Sequence, residues 1–190
     1  MKKQNSINKN LLSAENIKNT FAYENFAMQL LNRKESGTNV FAITGDTKSS
    51  DIITIVSLNI GYNLKQHNNK VLVINLDINN LAINDLLLQQ NNDENVISYG
   101  DIDVLLPTSI DLFYTMTDKD IKDKYSDYDY VIFIVPSPKY FSNYLAIPKN
   151  VEFYILVSKF LSSFYAVNKC VNLLESIESK VIGSVYIKLK

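Results

Sequence analysis

Short apolar runs alternate along the chain with longer stretches in which apolar positions recur at helical spacing. Residues 40–43, 71–74 and 130–135 are apolar at nearly every position, so each predicts a strand buried on both faces. Residues 153–157 and 181–187 predict two more, and 103–106 a short one that stops at Pro107. The stretches 52–64, 81–90, 118–125 and 162–177 carry the helical period. An earlier helix starts at Ser13, presents Phe21, Ala22, Phe26, Leu30 and Leu31 at helical intervals, and ends near Gly37.

Strands without a polar face need cover on both sides, and helices placed between them supply it through right-handed crossovers. The expectation is an α/β fold with a doubly wound, mostly parallel sheet in a Rossmann-like three-layer arrangement. Ligands of such sheets bind beyond the carboxyl ends of the strands, which directs attention to the segments after Ile43, Ile74 and Val135. Residues 1–12 are rich in Asn and Lys and are expected to form a flexible arm, with 13–190 as a single domain.

Charge and composition narrow the function classes. With 190 residues, a net charge of −1 and a pI near 5.8, the chain lacks the cationic excess on which nucleic-acid affinity depends. The single cysteine, Cys170, and the single histidine, His67, exclude an internal disulfide and a Cys/His metal cage. His67 lies between Gln66 and Asn68 and reads as a solvated residue near a helix end. The start is basic but not followed by an apolar core, and no apolar run is long enough to span a bilayer. The expected location is cytoplasmic, peripheral to the inner face of the membrane only through a partner.

The three loops and their flanking strands resemble those of the bacterial tyrosine kinases of capsule and exopolysaccharide assembly, relatives of the cell-division and partition ATPases with a deviant P-loop. Residues 40–44 resemble the family's first strand, and Asn59 with Ile60 and Gly61 resembles the Asn-Leu-Ala of its first core helix. Residues 71–79 resemble the strand that ends Asp-x-Asp-Leu-Arg, 129–138 the Tyr-Asp-Tyr-Val-Ile-Ile-Asp-Thr-Pro-Pro segment, and 181–188 the closing Val-Leu-Gly-Val-Val-Leu-Asn-Lys. The resemblance runs from about Ser13 to Lys190 and implies a P-loop-NTPase-like domain.

The departures from that pattern bear directly on function. A phosphate-binding loop needs glycines that let backbone N–H groups close on the phosphates, a lysine to balance their charge and a hydroxyl for magnesium. Counting from Gly45 puts Ser50, Asp51 and Ile52 at the Gly, Lys and Ser/Thr positions. Counting back from Asn59 puts Ile53 at the lysine and leaves Thr54 as the magnesium hydroxyl. Lys48 and Ser49 do follow the first strand, but Thr47 precedes them where glycine is needed. Asn75 stands for the first catalytic Asp while Asp77 is kept; Asn79 replaces Arg, Ile134 replaces the metal-binding Asp, and Ile187 replaces the base-reading Asn.

These changes predict a pseudo-ATPase or pseudokinase with no catalytic residues and no metal site, whose nucleotide positions Gly45, Lys48, Ser49, Thr54 and Asp77 are vestigial. No cofactor is expected. Bland roles are available for several of these residues: Gly45 in a tight turn, Asp77 as a cap or loop residue, Thr54 and Ser57 bonding back to their own helix. No counterpart of the kinases' tyrosine-rich C-terminal tail is expected after the last strand, and aligning Glu24 with their ring-assembly motif gives Ala27 and Leu30 in place of arginines.

The expected role is therefore a scaffold or regulatory protein that binds a protein partner, such as a membrane adaptor of polysaccharide assembly or export. Phe21, Phe26 and Leu30 are either core or an apolar self-association surface. Tyr140, Phe141 and Tyr144, grouped with Tyr125, Tyr128 and Tyr130 around the loop after the strongest strand, are candidate partner contacts. Two alternatives stand beside this reading: a divergent active ATPase or tyrosine kinase that uses ATP and magnesium through Lys48, Thr54 and Asp77, and a partition- or pilus-type accessory ATPase relative that positions machinery.

Overall fold

The computed structural model describes residues 21–33, 37, 39–45, 50–77, 96–99, 101–107, 113, 115–138, 151, 153–159, 162 and 164–187. The expected arm, the start of the first helix and the expected helix over 81–90 lie outside them. The elements in chain order are α1 (Phe21–Leu31), β1 (Asn39–Gly45), α2 (Ser50–Gln66), β2 (Val71–Asn75), β3 (Val96–Tyr99), β4 (Ile102–Leu105), α3 (Asp118–Lys124), β5 (Tyr130–Ile134), β6 (Phe153–Lys159), α4 (Phe164–Glu175) and β7 (Lys180–Ile187).

The seven strands form one sheet in the order β3-β4-β2-β5-β1-β6-β7. Every neighbouring pair is parallel except β3 with β4. Alternate side chains leave the sheet on opposite faces, and here both sets are apolar. Phe41, Ile43, Val71, Val73, Ile132 and Ile134 join the core beneath α1 and α2. Val40, Ala42, Leu72, Ile74, Val131 and Phe133 join the other core, which includes Ile121 of α3 and Leu174 of α4. This double burial is why the strands carry no polar face, and it makes the domain a three-layer α/β/α structure.

β3 is a departure from the sequence reading, which left residues 96–99 unassigned. The strand pairs Val96 with Leu105 and Tyr99 with Ile102 in an antiparallel hairpin at the sheet edge. Asp101, in the turn, has φ 72°, a conformation Asp tolerates better than most residues. The signal in the sequence was a four-residue apolar-rich run followed by Gly-Asp.

α1 is fastened to the sheet by Phe26, whose ring lies over Gly183 of β7. A Cβ on Gly183 would come within 2.6 Å of Phe26 Cε2. Phe26 and Leu30 are both buried in this chain's own core. The side chain of Phe21 lies outside the described residues.

α3 is short and polar, and its start is held by a capping box. The Thr117 hydroxyl accepts from the Asp120 backbone N–H at 3.1 Å, while an Asp120 carboxylate oxygen accepts from the Thr117 backbone N–H at 2.8 Å. The Thr117 hydroxyl also donates to Asp120 Oδ2 at 2.7 Å, and this bond first, then the one from the Thr117 backbone N–H, holds the Asp120 carboxyl below its ordinary range. Because the folded-state value is depressed, the stabilisation is present at neutral pH and is lost as the pH falls through the folded-state value. Thr117→Ala is expected to cost about 1 kcal/mol in urea unfolding at neutral pH.

Candidate functional site

β2, β5 and β1 are adjacent in the sheet, so the loops that follow them converge at one edge. The strand register places Ile43, Ile134 and Asn75 side by side across it. Hydrogen bonding continues past the strand ends: Leu76 N–H donates to Ile134 O and Val135 N–H to Ile43 O, each at 2.9 Å. The Thr44 hydroxyl donates to Pro136 O at 2.8 Å, tying the end of β1 to the loop after β5.

The chemistry at this edge is apolar where a nucleotide site is charged. Ile134 is 0% exposed and faces the α2 side with Ile43 and Ile53. Ile53, the residue that one alignment places at the lysine, is 1% exposed and packs toward the end of β1. Asp51, the residue that the other alignment places there, is half-buried in the first turn of α2, and burial holds its carboxyl above the usual range. Neither alignment brings a cation to the start of α2 at residues 51–53.

Asn75 does more than lack the charge of an aspartate. Its Oδ1 accepts from Asp77 N–H at 3.1 Å and its Nδ2 donates to Asp77 O at 3.2 Å. Both ends of the amide are committed to the backbone two residues on, a closed Asx-type turn. A carboxylate would supply the acceptor but would set a second oxygen against the Asp77 carbonyl. Asp77 itself is buried at this turn.

Gly45 is explained differently from the sequence reading. No left-handed φ is found there; instead a Cβ would stand 2.8 Å from Val157 O and 3.2 Å from two Ile53 side-chain carbons. The glycine permits close packing of β1, β6 and α2 rather than a turn. Thr54 is fully buried on α2, and the Ser57 hydroxyl donates to Ile53 O at 2.8 Å, the back-bonding expected of it. Asn59 donates through Nδ2 to Ile55 O at 2.7 Å. Lys48 and Ser49 lie outside the described residues, as do Tyr140, Phe141 and Tyr144.

The aromatic group expected around the loop after β5 is divided. Tyr130 starts β5 and Ile134 ends it, about 13 Å apart at the rise of a strand. Tyr125 and Tyr128 precede the strand and pack against the core on the α3 side, so these three tyrosines belong to the opposite edge of the sheet. The Tyr128 hydroxyl donates to Asp103 Oδ2 at 2.9 Å; burial first, then this carboxylate, pushes its pKa up to about 12. Sequence reasoning passed over two other aromatics, Phe164 and Tyr165, which are 81% and 78% exposed in the first turn of α4, just beyond the carboxyl end of β6. A Ser-Ser-Phe-Tyr run at a predicted helix start was the available signal.

Among the described residues, no cluster of His, Cys, Asp and Glu could hold a metal, and no helix is long and apolar enough to cross a membrane.

No family model and no curated protein matches the sequence. Solved structures do match the fold. The kinase domain of the Escherichia coli tyrosine kinase ETK is similar at a TM-score of 0.72 and 22% identity, covering 94% of this chain and 80% of that one. The chimerical protein CapA2B2 gives 0.68 at 18% identity, with 94% and 89% covered. The VpsO kinase domain gives 0.66 at 18% identity, with 96% and 97% covered. At these identities the likeness is one of architecture: this chain has the P-loop-NTPase-like fold of bacterial tyrosine kinase domains.

Proposed function

We propose that this protein is a non-catalytic pseudo-ATPase or pseudokinase that acts by binding a protein partner in capsule or exopolysaccharide assembly or export. The observation that carries the reading is the trio Ile43, Ile134 and Asn75 across the carboxyl edge of the sheet. Where the resemblance places two metal-handling carboxylates, one position is a fully buried isoleucine and the other an amide closed on its own backbone. An isoleucine cannot coordinate a hard cation by any relaxation of geometry. A magnesium-bound polyphosphate would meet apolar side chains and the Asp51 carboxyl in place of a balancing lysine.

A binding role is supported by the exposed Phe164 and Tyr165 at that same edge, since large apolar side chains in contact with water are the kind of surface a protein partner covers. The link to polysaccharide assembly rests on the resemblance of the strand motifs to those tyrosine kinases and on the shared fold.

Nucleotide binding is the direct test. Saturating magnesium ATP is expected to leave the melting temperature unchanged, because a ligand that does not bind the folded state cannot stabilise it. A rise of several degrees that disappears in Thr54→Val or Asp77→Asn would sink the proposal in favour of a divergent active enzyme.

A further inference from the structure

At the opposite edge of the sheet, β1, β5, β6 and β7 begin close together, between the end of α1 and the start of α3. These elements line a partly open pocket of about 320 Å³, within the size range of small-molecule pockets. The apolar part of its lining comes from both faces of the sheet, Leu30 and Phe41 from one side and Val40 from the other, together with Phe153 and Ile182; Asn39 and Tyr130 line it as well. Phe41 is itself held edge-to-face against Tyr130, with ring centroids 6.4 Å apart.

The polar groups at the cavity are unevenly charged. Arg33 follows the end of α1, and Lys122 lies on α3, where it pairs with Asp118 at 2.8 Å. Among the lining residues two cations, Arg33 and Lys122, thus stand with one carboxylate, Asp118, which the lysine already engages. The nearby Asp129 carboxylate is already accepting from the Lys70 backbone N–H at 2.9 Å.

We propose that this cavity binds a small amphipathic carboxylate, an aromatic or branched aliphatic acid whose apolar body rests against Phe41 and Phe153 and whose carboxylate meets Arg33. The planar guanidinium fork matches a carboxylate in two parallel hydrogen bonds. Asp118 in the lining disfavours a doubly charged anion such as a phosphate monoester, and the pocket's small volume disfavours a long acyl chain. Such a ligand would bridge α1, α3 and the starts of β5 and β6, stabilising the sheet from the end away from the nucleotide positions. The inference does not depend on whether those positions bind ATP.

The test is methyl NMR of the whole chain titrated with phenylbutyrate and isocaproate, with phenylbutanol as the uncharged counterpart. At least one acid is expected to shift the methyl signals of Leu30, Val40 and Ile182 saturably, and phenylbutanol to bind about tenfold more weakly than phenylbutyrate if that acid binds. Arg33→Glu, an exposed substitution, is expected to weaken the bound acid by about tenfold or more while leaving the melting temperature unchanged. The proposal is overturned if neither acid perturbs those methyls saturably, if acid and alcohol bind alike, or if Arg33→Glu leaves the acid's affinity intact.

Discussion

Ile134→Asp is expected to destabilise the protein by about 3–5 kcal/mol near neutral pH, the cost of leaving a buried carboxylate without a partner. The position is fully buried at the end of β5, between Ile43 and Asn75, with Ile53 in the same apolar cluster. No described cation faces it to compensate. Burial would raise the folded-state pKa of the new carboxyl above its unfolded value near 3.9. The deficit is therefore largest above that raised value and shrinks as the pH falls toward the unfolded value, where both states hold the proton. It does not vanish, since the isoleucine's apolar burial is also lost. Urea unfolding at neutral pH and again near the carboxylate range reads both the size and the sign. If the variant kept full stability at neutral pH, a carboxylate would be tolerated there without a partner, and the account of this edge as closed and apolar would fail.

Gly45→Val should cost about 3 kcal/mol by overpacking, which for a chain of this length lowers the melting temperature by roughly 6–12 °C. The obstacle is backbone as well as side chain: the added Cβ meets Val157 O at 2.8 Å, and two carbons of the buried Ile53 at 3.2 Å. A flexible side chain could turn aside, but the β6 carbonyl is held in the middle of the sheet. Were Gly45 kept for a phosphate instead, the substitution would abolish nucleotide binding with little change in stability, and a thermal melt without ligand separates the two cases. The same crowding explains how a glycine survives at this position when the lysine and the metal carboxylate do not.

Much of the layer structure was legible along the chain because double burial leaves a direct mark. A run such as 130–135 has no polar position on either face, and only a strand covered by helices on both sides satisfies it. β1, β2 and β5 were readable for that reason, and α2 because its apolar positions repeat at helical spacing. β3 was missed because an edge hairpin of four residues carries too few positions to display a period. That residues 50–53 hold no lysine and that residue 134 is an isoleucine was equally plain, being a matter of residue type at counted positions.

Other features depend on neighbours distant in sequence. The reason for Gly45 lies in the Val157 carbonyl and the Ile53 side chain, and the reason for Gly183 in the Phe26 ring. The engagement of Asn75 on both sides needed the path of the backbone through Asp77. The cavity beside Arg33 is bounded by residues from the first third of the chain to nearly its end.

The sequence by itself determined which segments are buried on two faces, and hence the alternation of strands and helices, because hydrophobic burial is written in residue type and period. It also determined that residues 50–53, at the start of α2, include no lysine. Tertiary structure alone decided the strand order, and with it that Ile43, Ile134 and Asn75 stand in one row while Leu30, Val40 and Phe153 share one cavity. Those are relations between surfaces brought together only when the chain closes on itself, and close packing is what sets them.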